Sequence, residues 1–132
     1  MRMQSMTRGF TWLDLMICTA LAVPYVSSWT LEMISLASVS LGSTEVALLV
    51  GPGAFFVNLA GLFGVLWNIA MLRLQDPSLH RIDLIARVGV ISLIALHVST
   101  QQLPTIFFFF LGTEIVGGAF KIAWLRSLDE DS

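Results

Sequence analysis

Four long apolar runs divide this chain, and most of its charged residues lie in the short segments between them. A water-soluble protein of this length distributes charge over its surface, whereas segregated charge is typical of helices that cross a membrane. Hydrophobic residues make up 56% of the 132 residues and charged residues only 12%, about half the charged share of an ordinary soluble domain. The pattern therefore predicts an integral membrane protein of the all-α class.

The apolar runs predict four membrane spans, over residues 11–30, 54–72, 82–99 and 103–125. As helices rising 1.5 Å per residue, they are long enough to cross a hydrocarbon layer about 30 Å thick. Pro24 is expected to bend the first span. Residues 31–53 are apolar but interrupted by polar residues and glycines, which predicts an interfacial helix or a half-buried loop. The expected fold is one domain, a left-handed antiparallel four-helix bundle.

The positions of the basic residues predict the orientation of these spans. With four spans, every lysine and arginine falls toward one side of the membrane, and the turn at residues 100–104 on the other side is uncharged. Basic residues are enriched on the cytoplasmic side, so both termini are predicted to be cytoplasmic. Trp67, near one end of its span, is interpreted as an interfacial anchor. The basic residues are Arg2, Arg8, Arg73, Arg81, Arg87, Lys121 and Arg126.

Glu114 is the most costly residue of the fourth span, because it lies near the middle of the hydrocarbon layer. Gly117, Gly118 and Lys121 follow it on the same helical face. The sequence predicts an intramembrane polar site made of Glu114, Asn58, Asn68 and His97. Two interpretations stay open: a functional acid that carries a proton, or a protonated structural acid bonded to Asn58, Asn68 or a backbone carbonyl.

A second group of charged residues is predicted to gather at the cytoplasmic ends of three spans. Its members are Asp14, Arg73, Asp76, Asp83 and Arg87. Such a cluster can bind a charged headgroup or substrate, or it can hold the hairpin between the second and third spans through ion pairs.

Several classes of function are disfavoured by what the sequence contains. The net charge of −2 and the absence of a dense basic patch argue against a nucleic-acid partner. The lone Cys18 excludes an internal disulfide and a cysteine-rich metal site. His97 and His80 fall on opposite sides of the membrane, which disfavours a two-histidine haem or metal site. The sequence contains no phosphate loop, nucleophile elbow or paired catalytic carboxylates, which argues against the common hydrolase and kinase chemistries. No cofactor and no metal are predicted, and a non-enzymatic role is favoured over an enzymatic one.

The glutamate and glycines of the last span, Glu114 to Gly118, resemble those of small bacterial four-span proteins of the DoxX-like group, as do the size and orientation. The pattern from Asn58 through Arg73 to Arg87 is similar to one found in uncharacterised bacterial inner-membrane proteins. The resemblance covers the last three spans. It implies a multi-pass protein of the bacterial inner membrane and assigns no catalytic residue.

Two functions are expected from these observations. The first is a non-enzymatic accessory or interaction subunit, because a chain with so few residues outside its spans has little surface except its helices. Its partners would be the lipid bilayer and other membrane proteins or further copies of itself. The alternative is a small carrier or membrane enzyme for a lipophilic molecule, with the Glu114 face lining its pocket.

Overall fold

The structure is a computed structural model that describes residues 2–100 and 103–130. Part of the uncharged turn predicted at residues 100–104 lies outside the described residues. Within them, the chain forms five α-helices and no strand, which confirms the predicted all-α class. The helices are α1 (Arg2–Ala22), α2 (Pro24–Ser40), α3 (Pro52–Leu74), α4 (Pro77–Ser99) and α5 (Phe107–Glu130).

The predicted first span is divided into two helices. Val23 has extended backbone angles, Pro24 opens α2, and the axes of α1 and α2 differ by 111°. Proline disfavours the helical conformation of the residue before it and has no backbone N–H to donate, so the chain breaks at Val23 rather than bending smoothly. Helix α2 then continues to Ser40, well into the segment predicted as an interfacial helix or loop.

Three helices are long and apolar enough to cross a membrane: α3, α4 and most of α5. The broken pair α1 and α2 passes the same test only when the two helices are taken together, which gives three or four candidate spans in the described residues. Large apolar side chains point away from the helix contacts, as Phe63, Ile85 and Phe109 do at 63%, 74% and 69% exposure. This outer surface is compatible with a multi-pass membrane protein, in which lipid covers apolar side chains.

Helix α1 is central to the packing. It lies along α3 and also contacts α5, and α5 in turn packs against α4. The contact of α1 with α3 is close because Gly61 faces the end of α1. A Cβ atom at Gly61 would lie only 2.7 Å from the carbonyl carbon of Leu21. Glycine at this position therefore allows the two backbones to touch.

The connection between α3 and α4 consists of Gln75 and Asp76. Gln75 has left-handed backbone angles and ends α3. The Asp76 side chain accepts a 2.8 Å hydrogen bond from the backbone N–H of Ser78 and so caps α4. This hydrogen bond holds the pKa of the Asp76 carboxyl below its usual value. The tight connection places the start of α4 directly after the end of α3.

Candidate functional site

The guanidinium of Arg87 binds three carboxylates from three helices. Its Nε donates to Asp83 Oδ2 at 2.9 Å, one turn earlier on α4, and its Nη1 donates to Glu114 Oε2 on α5 at 2.6 Å. Its Nη2 donates to Asp14 Oδ2 on α1. The Arg87 side chain is only 8% exposed. Arg87 therefore joins α1, α4 and α5 through charged hydrogen bonds in the interior of the protein.

Asp83 is shared by two further donors. Lys121 Nζ on α5 donates to Asp83 Oδ2, and the indole Nε1 of Trp67 on α3 donates to Asp83 Oδ1 at 2.8 Å. The Lys121 side chain is 2% exposed. A lysine so deeply buried needs a carboxylate partner, since an unpaired buried ammonium is costly. These residues form what we call the Arg87 network: Asp14, Trp67, Asp83, Arg87, Glu114 and Lys121.

The network lies inside the helices rather than at their ends. Arg87 follows the first residue of α4 by ten positions, or about 15 Å, and Asp14 follows the first residue of α1 by twelve, or about 18 Å. The predicted placement of Asp14, Asp83 and Arg87 at the cytoplasmic ends of the spans stays a prediction. Because α1 and α4 begin at Arg2 and Pro77, earlier than the predicted spans, these charges lie deeper along their helices than the predicted spans imply.

The structure unites residues that the sequence assigned to two separate groups. Glu114 belongs to the predicted intramembrane site, yet its hydrogen-bond partner is Arg87 of the other group. In the described residues it has no hydrogen bond to Asn58 or Asn68. Arg73 is exposed near the end of α3 and Asp76 caps α4, so neither belongs to the Arg87 network.

The other members of the predicted intramembrane site form hydrogen bonds outside the Arg87 network. Asn58 Nδ2 donates to the carbonyl of Leu21 at 2.7 Å and to Ser27 Oγ at 2.8 Å, which joins the two sides of the break between α1 and α2. Asn68 donates to Gly64 O at 2.8 Å, and His97 Nδ1 lies 2.8 Å from Leu93 O. Asn58 thus satisfies a backbone carbonyl near the break, where the regular helical hydrogen bonds stop.

Sequence reasoning did not assign Lys121 or Trp67 to a site. The sequence puts Lys121 on the Glu114 face and among the basic residues of the cytoplasmic side, and it predicts Trp67 to be an interfacial anchor. The signal for Lys121 was its spacing of seven residues from Glu114, which puts both on one face of α5. For Trp67 no comparable signal exists, because its hydrogen bond to Asp83 joins two different helices, α3 and α4.

A cavity of about 270 Å³ adjoins the Arg87 network between α1, α3, α4 and α5. Asp14 and Glu114 line it and keep 23% and 22% of their side chains exposed. Its other walls include Asn68, Val90 and Phe110. This network cavity, as we call it, combines carboxylates that can take up a proton or a cation with apolar walls that can hold hydrocarbon.

The described residues contain no group of three or more His, Cys, Asp or Glu side chains arranged to hold a metal ion. The charged atoms of the network are instead paired with each other through hydrogen bonds. The chemistry that this arrangement offers is charge pairing and the uptake of a proton or a cation.

Searches against protein-family models, curated proteins and solved structures find no match to this chain. The resemblance to the DoxX-like group accordingly stays a prediction.

Proposed function

We propose that this chain is a small carrier that binds a lipophilic molecule in the network cavity. In this proposal the chain is an antiparallel bundle of four spans in a bacterial inner membrane, with both termini in the cytoplasm. The broken pair of α1 and α2 makes the first span. The network cavity then lies within the bilayer, where a lipophilic molecule is most concentrated.

The observation that carries the proposal is the position of the Arg87 network beside the network cavity. Five charges in the interior, three of them buried, are a poor way to gain stability, because apolar side chains of similar volume often stabilise a protein as well or better. Polar and ionisable side chains inside a membrane are costly and commonly mark the path of a substrate or proton. Here two of the carboxylates, Asp14 and Glu114, keep exposed surface toward a cavity.

Filling the network cavity is expected to abolish retention of the ligand. Ala86 lines the cavity and its side chain is exposed, so Ala86→Phe adds a ring without displacing a buried group. Native mass spectrometry of protein gently extracted from its own membranes should show one bound lipophilic molecule on the wild type, and at least a tenfold lower occupancy on Ala86→Phe.

The matched control is Ala95→Phe, an exposed alanine of the same helix that lies outside the network cavity. It should retain the ligand as the wild type does. Equal loss in both variants, or a wild type with no bound molecule, would argue against the proposed site.

A second candidate function, the accessory subunit, is favoured by an open hollow outside the Arg87 network. Glu32, Ser35, Glu45 and Val46 line this hollow of about 590 Å³, and residues 43–50 next to it form no helix. Such a surface can accept a segment of a partner protein. The same mass spectrum separates the two functions, because a subunit would be recovered with another polypeptide in fixed stoichiometry.

The proposed orientation predicts which side of the membrane two engineered cysteines face. In a Cys18→Ser background, Thr44→Cys follows α2 and should react with an impermeant thiol reagent added to intact cells. Ser78→Cys, at the start of α4, should react only after the cells are opened. Both native side chains are exposed, so accessibility of the protein surface does not bias the comparison. The reverse pattern would invert the topology.

A further inference from the structure

The Arg87 network contains one more acid than base. Its carboxylates are Asp14, Asp83 and Glu114, and its cations are Arg87 and Lys121, so the fully ionised network has a formal charge of −1. An uncompensated charge inside a membrane protein is strongly unfavourable. The network is therefore balanced by one added proton or by one cation from outside.

Neighbouring titratable groups do not supply the missing positive charge. His80 on α4 is 2% exposed and packs edge-on against Trp124, with 4.6 Å between ring centroids. Neither of its ring nitrogens has a hydrogen-bond partner in the described residues, so an imidazolium would bury two N–H donors beside the positive charge of Lys121. The Cys18 thiol, which lines the network cavity, is neutral when protonated.

The excess negative charge lies on the cavity side of the network. Asp83 accepts hydrogen bonds from Arg87, Lys121 and Trp67. Asp14 and Glu114 each accept only one in the described residues, and both come from Arg87. These two carboxylates thus share one guanidinium and line the network cavity, where either a proton or a bound cation can reach them.

A second space, lined mainly by apolar side chains, shares a wall with the network cavity. It lies between α2 and α5, has a volume of about 450 Å³, and has Phe110 in common with the network cavity. No charged side chain of the described residues lines it. We call it the Phe110 crevice; its walls include Trp29, Met33, Ala37, Ile106, Phe109 and Phe110. The network cavity on one side of Phe110 offers charged side chains, and the Phe110 crevice on the other side offers apolar ones. The two spaces together fit a molecule with a charged group and a hydrocarbon part.

We infer that the ligand is an amphiphilic organic cation, whose charged head binds in the network cavity against Asp14 and Glu114 while its apolar part lies in the Phe110 crevice. This inference rests on the proposed carrier function and names its substrate class. Binding releases one proton from the acidic pair to water, so the network stays balanced before and after. The proton and the organic cation exclude each other from the acidic pair. Movement of the cation across the membrane in one direction is therefore coupled to movement of a proton in the other.

The test uses full-length protein in phosphatidylcholine nanodiscs, with empty nanodiscs as the blank. Decyltrimethylammonium is the cationic probe and decanol is its neutral counterpart of equal chain length. In weak buffer, at pH values where the free acidic pair holds its added proton, binding of the cation should release one proton per molecule, and its Kd should fall about tenfold for each unit of pH rise. Binding of decanol should release none and should not depend on pH.

Glu114→Gln keeps a hydrogen-bond acceptor for Arg87 but removes the excess charge. It should abolish proton release and weaken decyltrimethylammonium binding at least tenfold while leaving decanol binding unchanged. Asp14→Asn should act in the same way, because the two carboxylates share one site. Glu45→Gln, an exposed acid outside the network, is the matched control and should behave as the wild type. Retained decanol binding shows that each variant is folded.

Ala37→Phe tests the Phe110 crevice. An added ring there should weaken decyltrimethylammonium binding at least fivefold and leave the one-proton stoichiometry unchanged. Cation binding without proton release, or decanol binding without cation binding, would overturn this inference and leave the carrier function standing. Binding of neither probe would overturn the carrier function itself.

Discussion

Replacing Arg87 with methionine is expected to destabilise the protein by about 3–5 kcal/mol, the usual cost of removing one partner from a buried ion pair. Methionine approximates the volume of the side chain but leaves Asp14 and Glu114 with no hydrogen-bond donor among the described residues. Asp83 keeps Lys121 and Trp67, so the loss falls mainly on the contacts of α4 with α1 and α5. The free energy of unfolding, measured by titrating SDS into mixed micelles, should report the effect.

Arg73→Met is the matched control, because Arg73 is exposed and lies outside the Arg87 network. Its stability should change by less than about 1 kcal/mol. Arg87→Lys should fall between the two, since an ammonium keeps the charge but cannot direct three hydrogen bonds from a planar group. If Arg87→Met and Arg73→Met prove equally stable, Arg87 is not buried among carboxylates as described.

Gly61→Leu is expected to disrupt the packing of α1 on α3, at a cost of about 3 kcal/mol or more. The new Cβ would lie 2.7 Å from the Leu21 carbonyl carbon and 2.8 Å from the Ala22 Cα, and backbone atoms cannot rotate out of the way. Separating the helices would also stretch the hydrogen bond from Asn58 to Leu21. The same SDS titration should show the loss.

Gly89→Leu provides the control for the change from glycine to leucine within a helix. A Cβ at Gly89 meets nothing within 4 Å. Leucine also favours a helix over glycine by up to about 1 kcal/mol, so this variant should be as stable as the wild type or slightly more so. Unchanged stability of Gly61→Leu would contradict the close approach of α1 and α3.

The sequence predicts the positions of those helices that are marked by a long apolar run. Helices α3, α4 and α5 overlap three of the four apolar runs, because a chain in lipid must pair its backbone groups within each segment. The break at Val23 was predicted only as a bend. Whether a proline bends or interrupts a helix depends on whether a neighbour satisfies the freed carbonyls, and here Asn58, from another helix, bonds to Leu21 O.

The sequence predicts several residues of the Arg87 network but divides them between two separate sites. Spacing along one helix correctly put Asp83 beside Arg87, because residues four apart meet on one face. The contact of Arg87 with Glu114 crosses from α4 to α5, and its geometry depends on where each helix begins and how the helices tilt. A single sequence carries no direct signal for either quantity, so the intramembrane acid and the charges predicted at the membrane edge were assigned to different sites.

The pair formed by Asp83 and Arg87 also bears on how the chain is made. Both partners belong to α4, and their hydrogen bond spans a single helical turn. It can therefore form while α4 is entering the membrane, before α5 has been synthesised. Insertion of α4 then requires transfer of a neutral pair rather than two separate ions, which lowers its cost. Helix α4 carries its own counterion, and synthesis of α5 completes the network by adding Glu114 and Lys121.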